Sequence, residues 1–113
     1  MYDYEATVKR VIDGDTIVAD IDLGFGIIYI DQTLRFYGIN APELRDKDPA
    51  LREAAQQSRA RVLELCPIGT TIRVKTLKDK KEKFGRYLAL VYDSQNREIN
   101  KLLIEEGFAV HYE

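Results

Sequence analysis

Leu34-Arg35-Phe36-Tyr37-Gly38-Ile39-Asn40-Ala41-Pro42-Glu43 begins as a strand and ends as a rigid turn. Leu34 and Phe36, with Gly38 continuing the step, alternate against Arg35 and Tyr37, the period-2 pattern of a half-buried strand. Proline then fixes φ and pushes the preceding residue away from helix, so the chain leaves the strand at Asn40-Ala41-Pro42-Glu43. An arginine inside the strand, a carboxamide at its end and a carboxylate past the turn are more polar chemistry than one rim requires. Taken alone, the same residues also read as a strand end with a capping Asn and a solvated Glu. The stretches on either side decide.

Upstream, Glu5 to Ile12 is rich in β-branched residues and reads as a strand, with Ala6, Val8 and Arg10 on one face and Thr7, Lys9 and Val11 on the other. Asp13-Gly14-Asp15 is a turn of hairpin character, Thr16 to Ile21 a second strand, and Leu23-Gly24-Phe25-Gly26 a second turn. Ile27 to Tyr37 is a long third strand in which Asp31-Gln32 marks a bulge or kink. Downstream, Asp48 is the expected N-cap of a helix with Pro49 at its first position. Leu51, Ala54, Ala55, Ser58, Val62, Leu65 and Cys66 recur at steps of three and four as one apolar stripe, and Pro67-Ile68-Gly69 ends it. Thr70 to Lys78 and Arg86 to Asp93 are two more strands, joined by a basic loop from Asp79 to Gly85. A last helix from Ile99 to Glu106 turns Ile99, Leu102 and Leu103 inward and stops at Gly107, leaving Phe108 to Tyr112 as a short extended tail.

The expected architecture is therefore mainly β with helices (α+β). It is a five-stranded oligonucleotide/oligosaccharide-binding (OB) barrel with a helix between strands three and four and a short C-terminal helix. A β-grasp or a split α+β sheet is the runner-up. The length of 113 residues fits one domain over 1–113 and points to a monomer. The lone Cys66 and lone His111 leave no Cys/His ligand cluster, and Cys66, on the apolar stripe, is expected to be a small buried hydrophobe. No apolar run reaches the ~18 residues of a membrane span. The N-terminus Met-Tyr-Asp-Tyr-Glu has no export signal, so the chain as it stands reads as cytoplasmic, or as secreted if a signal has been removed. A net charge of −2 argues against wholesale binding of nucleic acid. Between Arg73 and Arg86, however, seven basic residues face two acidic ones, a patch that attracts phosphates or, on the plainer reading, a solvated loop.

Polar groups gather at three strand ends: Asp15, then Arg35 with Asn40 and Glu43, then Arg86. Asp15, Asn40 and the Ala41 carbonyl offer hard oxygen donors, which suit Ca²⁺ or Mg²⁺ rather than zinc. Glu43 is placed to take a proton from water. Two guanidinium forks pair with phosphate oxygens and stabilise added charge as phosphorus gains a fifth ligand. Such a set would suit a phosphodiester, although each piece alone is common and spacing does not prove convergence.

Three blocks carry a resemblance: Val11-Ile12-Asp13-Gly14-Asp15-Thr16, Leu34-Arg35 through Asn40-Ala41-Pro42-Glu43, and Lys83-Phe84-Gly85-Arg86. Together and in this order they resemble the signature blocks of the staphylococcal-nuclease-like (thermonuclease) family, and Asn100 to Ala109 is similar to that family's later helix and exit. The resemblance implies an OB barrel with a calcium-dependent nuclease site for DNA and RNA, single-stranded or frayed, that leaves 3′-phosphate ends. It implies Asp15, Asn40 and the Ala41 carbonyl as metal ligands, Arg35 and Arg86 as phosphate clamps, and Glu43 as general base. Lys83, Phe84 and Tyr112 match substrate-contacting positions, with Tyr112 offering base stacking worth ~1–3 kcal/mol or serving only as a structural tyrosine. His111 is given no catalytic role.

Four departures qualify this. Asn40 stands where the family usually has an aspartate, which should weaken metal affinity. Phe84 replaces a tyrosine and loses a hydroxyl. The hairpin around Gly24-Phe25-Gly26 is longer than in the type member, and the chain stops at Glu113 without the type member's last helix, as a minimal or a truncated domain. The alternative function is a catalytically weak or inactive OB module that binds nucleic acid or protein. Retention of Asp15, Arg35, Glu43 and Arg86 together argues against it.

Overall fold

The computed structural model describes residues 2–81 and 85–112, with side chains from 78 to 81 left aside. Five strands close into a barrel: β1 (Tyr2–Asp13), β2 (Thr16–Gly24), β3 (Ile27–Phe36), β5 (Thr71–Lys81) and β6 (Tyr87–Tyr92), in the order β1-β2-β3-β6-β5. The first three form the expected meander, and β1 also pairs with β5. A short parallel contact between β3 and β6, Leu34 to Phe36 against Tyr87 to Ala89, closes the ring. Closure excludes the β-grasp and split-sheet alternatives, which leave open edges. Helix α1 (Pro49–Leu65) lies between the third and fourth barrel strands, and α2 (Ile99–Glu105) follows the fifth.

The core is built from Val8, Ile17, Leu34, Phe36, Val74 and Val91 inside the barrel, with Val62 from α1 and Ile99 and Leu103 from α2 covering it. Helix α1 is capped as expected, the Ala50 N–H donating to Asp48 Oδ1 at 2.9 Å. Gly107 takes φ +82°, the left-handed value a helix exit requires. Cys66 is buried and donates its thiol to the Val62 carbonyl.

Three details differ from the alternation pattern. In β1, Val8 pairs with Ala19 and Arg10 with Val18, so Lys9 is an extra residue. That bulge flips the later side chains, burying Val11 and exposing Arg10, the reverse of a regular strand. In β3 the bulge at Asp31 is real: its φ is +53°, and its N–H is satisfied by Asp20 Oδ1. In α1, Leu51 continues the stripe but is exposed, beside the turn after β4 and the chain after α2 rather than beneath the barrel.

The tail after α2 is not merely extended. Val110–His111 forms β7, which pairs antiparallel with β4 (Ile39–Asn40), just after β3. A buried side chain nearby serves the same region. Asn100 accepts from the Val91 N–H and donates through Nδ2 to the carbonyls of Tyr37 and Ala89, each at 3.0 Å. It thereby ties α2 to β6 and to the exit of β3. Replacing Asn100 with Leu removes the side-chain partner of the Val91 N–H and the Tyr37 carbonyl and leaves the Ala89 carbonyl only its bond from the Tyr37 N–H, and unfolding should show a loss of roughly 2–4 kcal/mol in urea titration. Burial pushes the Cys66 thiol up to about 12. A thiol reagent at pH 8 should therefore fail to label the native chain and label it fully in denaturant.

Candidate active-site cleft

The strand end and the turns around it enclose a cleft of about 580 Å³. Asp15, Arg35, Asn40, Ala41, Glu43, Arg86 and Tyr112 all line it, brought from the β1–β2 turn, β3, the turn after β4, the entry to β6 and the C-terminal tail. Lys83 and Phe84 lie outside the described residues, as does part of the basic loop. His111 faces a different hollow, against α2.

Asp15 is the centre of the bonding. Its Oδ1 accepts from the Thr16 hydroxyl at 3.0 Å and its Oδ2 from the Ala41 N–H at 2.8 Å. Arg35 Nη1 approaches the same Oδ2 at 3.4 Å, in a pair whose side chains are both only 10% exposed. Arg35 sits between the core residues Leu34 and Phe36, and it is buried although it points away from them. The turn that follows folds back over it. Its Nη1 donates to the Phe36 carbonyl at 3.0 Å and its Nη2 to Asn40 Oδ1 at 3.1 Å. Five N–H groups on a planar fork leave donors available beyond these bonds.

Glu43 is exposed at the rim, and among the described residues its carboxylate makes no hydrogen bond. Arg86 reaches the cleft as the chain enters β6, after Gly85 at φ +78°. Tyr112 arrives through the β4–β7 pairing: its N–H donates to the Gly38 carbonyl at 2.8 Å. Its ring centroid lies 6.0 Å from the Arg35 guanidinium carbon, at the outer limit of a cation–π contact.

Several lining residues had no expected role. Asp13 is the other carboxylate of the Asp-Gly-Asp turn and accepts the Asp15 N–H at 3.0 Å. Its carboxyl is pushed up to about 6, first by burial and then by its hydrogen bond and like charge with Asp15. Two carboxylates within one tight turn were the available signal. Tyr37 and Leu88 also line the cleft, and only the fold brings them there.

Gly14 is required for space rather than for dihedral freedom, because neither it nor Asp15 has a positive φ. A Cβ on Gly14 would meet the Ser58 Cβ at 2.6 Å and the Ala41 Cβ at 2.8 Å. The hairpin turn is thus pressed between α1 and the very residue whose N–H holds Asp15. Ser58 is itself fixed, its hydroxyl bonded to the Ala54 and Phe108 carbonyls.

As a cation site, the cleft offers oxygen donors from a carboxylate, a carboxamide and a backbone carbonyl, the class hard divalent ions prefer. Their charge is sparse: among the described residues no group of three Asp, Glu, His or Cys side chains is assembled to hold an ion. The donor types are those that calcium or magnesium prefer, and few of them carry charge.

Comparison with known proteins gives a concordant result. The family model for staphylococcal nuclease homologues matches residues 33–113. Three proteins of Bacillus subtilis (strain 168) are similar over nearly the whole chain. Endonuclease YhcR is 28% identical over 116 residues, covering 97% of this chain and 9% of its own length. Endonuclease YncB is 29% identical over 105 residues, covering 91% of this chain and 46% of its own. The SPbeta prophage-derived endonuclease YokF is 28% identical over 105 residues, covering 93% of this chain and 33% of its own. The chain spans less than half the length of each of these relatives.

The crowding at Gly14 makes a direct prediction. Gly14→Ala should force Ala41 and Ser58 apart and cost about 1–3 kcal/mol in thermal or urea unfolding, whereas an alanine at Gly24, with no neighbour within 4 Å, meets only its φ of +83°.

Proposed function

Because this chain belongs to the staphylococcal nuclease homologue family, we propose that it is a metal-dependent nuclease, hydrolysing phosphodiester bonds of DNA or RNA in single-stranded or frayed regions. The observation that carries the proposal is convergence. Asp15, Arg35, Glu43 and Arg86, from four separate segments, line one open cleft.

In this reading Arg35 and Arg86 grip the scissile phosphate. Arg35 is already braced by the Phe36 carbonyl, Asn40 and Asp15, so little side-chain freedom is lost on binding. Glu43, with no internal hydrogen bond to break among the described residues, orients a water and accepts its proton as the oxygen attacks phosphorus. The two guanidinium groups balance the charge that accumulates on the equatorial oxygens. The 5′ oxygen departs and takes up a proton, leaving a 3′-phosphate. Asp15, Asn40 Oδ1 and the Ala41 carbonyl would hold a divalent cation, calcium first and magnesium as the alternative. The chemistry such an ion supplies when bound is neutralisation of phosphate charge. Tyr112, beside Arg35 and largely exposed, offers a face on which a base can stack.

The test is cleavage of a fluorescent oligonucleotide across neutral to alkaline pH, with calcium, magnesium and chelator compared. Calcium-dependent cleavage abolished by chelator is expected. An intact oligonucleotide bound tightly and without metal would instead identify a non-catalytic binding module. Arg35→Ala and Glu43→Ala should each lower kcat by about 10²–10⁴-fold, the scale of losing a transition-state donor or a general base. Asn40→Asp adds a ligand charge and should lower the calcium concentration for half-maximal activity by roughly 10-fold, read also as a larger calcium-induced rise in Tm.

A further inference from the structure

Beside the cleft lies a second hollow, of about 470 Å³, between the exit of β3 and α2. The two meet along Tyr37, Gly38 and Ile39, which line both. No side chain closes the saddle between them, because Gly38 has none, and a Cβ there would meet nothing within 4 Å. The saddle is fixed in place, its Gly38 carbonyl accepting from the Tyr112 N–H at 2.8 Å. Tyr37 stands on it with its ring 48% exposed. The backbone beneath that ring is pinned twice: its N–H donates to the Ala89 carbonyl at 2.9 Å, and its carbonyl accepts from Asn100 Nδ2 at 3.0 Å. A half-exposed aromatic face on a rigid backbone, with two χ angles to fix, is well suited to holding a flat ligand.

We infer that this hollow is a second base subsite. It takes the nucleoside on the far side of the scissile phosphate from the one at Tyr112, with its base stacked on Tyr37. The subsite presupposes the nuclease reading: a strand gripped at Arg35 and Arg86 continues in both directions, and Tyr112 serves only one of them. Tyr37 follows Arg35 by two residues, so the two Cα atoms are no more than ~7 Å apart, near enough for the neighbouring nucleoside. The lining suits a base better than a phosphate. Ile39 and Ile104 make part of it apolar. At its rim two carboxylates, Glu98 and Glu105, outnumber one ammonium, Lys101, which lies 3.9 Å from Glu105. A phosphate would be repelled there. An uncharged base instead donates exocyclic or ring N–H groups to the carboxylates and accepts from Lys101 or His111. Because every base has a π-face, the subsite adds affinity on that side of the cleaved bond without imposing a sequence.

The probe is a dinucleoside monophosphate, whose single phosphate fixes its register on the two arginines. KM and kcat are measured with calcium, and Kd by calorimetry in chelator. Tyr37→Ala should raise KM and Kd by roughly 10–100-fold, the scale of one lost stacking contact, with kcat little changed. Tyr37→Phe keeps the ring and should match the parent, and both variants should keep the parent's circular dichroism. Two analogues of the probe, each lacking one base, complete the cycle. The Tyr37→Ala loss should vanish with one analogue and the Tyr112→Ala loss with the other. Parent-like KM and Kd for Tyr37→Ala would overturn the subsite and leave the nuclease reading intact. So would a loss that persists with both analogues, the mark of a merely structural tyrosine, or one that vanishes with the same analogue as the Tyr112→Ala loss. Binding without cleavage would overturn the nuclease reading instead, and the Kd cycle alone then decides the subsite. Neither binding nor cleavage at millimolar probe would overturn both.

Discussion

A carboxylate withdrawn from water must be paid for by partners, and the Asp15 carboxylate has three. It accepts the Thr16 hydroxyl and the Ala41 N–H, and it lies beside the Arg35 guanidinium. Removing one member of a buried pair of this kind ordinarily costs about 3–5 kcal/mol, because the other charge is left without a partner. These contacts tie the turn into α1 to the β1–β2 turn and the end of β3, which the β2–β3 ladder already sets side by side at Thr16 and Arg35. The polar rim of the cleft is in this sense a by-product of satisfying Asp15 and Arg35.

Two further constraints hold this hub in place. Gly14 lets the β1–β2 turn press against Ser58 of α1 and Ala41, at a distance no other residue permits. Asn100 holds the carbonyls of Tyr37 and Ala89 and the N–H of Val91, which fixes the strand exit from the opposite side. The rim is rigid where phosphate would be gripped and open where water would enter, at exposed Glu43. The apolar far end of the β2–β3 hairpin lies apart from all of this, built from the same two strands, with Tyr29 set against Tyr87. One hairpin thus carries a polar end, near Thr16 and Arg35, and an exposed apolar end, around Phe25.

Much of the fold was legible because its signals are local. Alternation marked the meander, Asp48-Pro49 marked the start of α1, Asp31 marked a real bulge and Gly107 marked a helix exit. Arg10 and Val11 were misassigned because an extra residue inverts a strand's faces without leaving any trace in composition. Leu51 was misassigned because periodicity identifies a stripe but not how far the partner surface extends beneath it. Of the cleft, the rim from Arg35 to Glu43 was visible as a surplus of polar residues at one turn. Asp13 was within reach of the same reasoning. Asn100 was not, since an asparagine in a helix reads as an ordinary exposed polar residue until the helix is docked.

By itself the sequence determined the strand and helix order, the barrel plan and the residue types capable of gripping a phosphodiester, because caps, turns and periodicity act over a few residues. Only the tertiary structure decided that Asp15, Arg35, Glu43, Arg86 and Tyr112 meet at one cleft. That meeting depends on barrel closure between β3 and β6 and on the pairing of β4 with β7. Such contacts link residues far apart in sequence, and their strength comes from burial and hydrogen-bond geometry that no local pattern encodes.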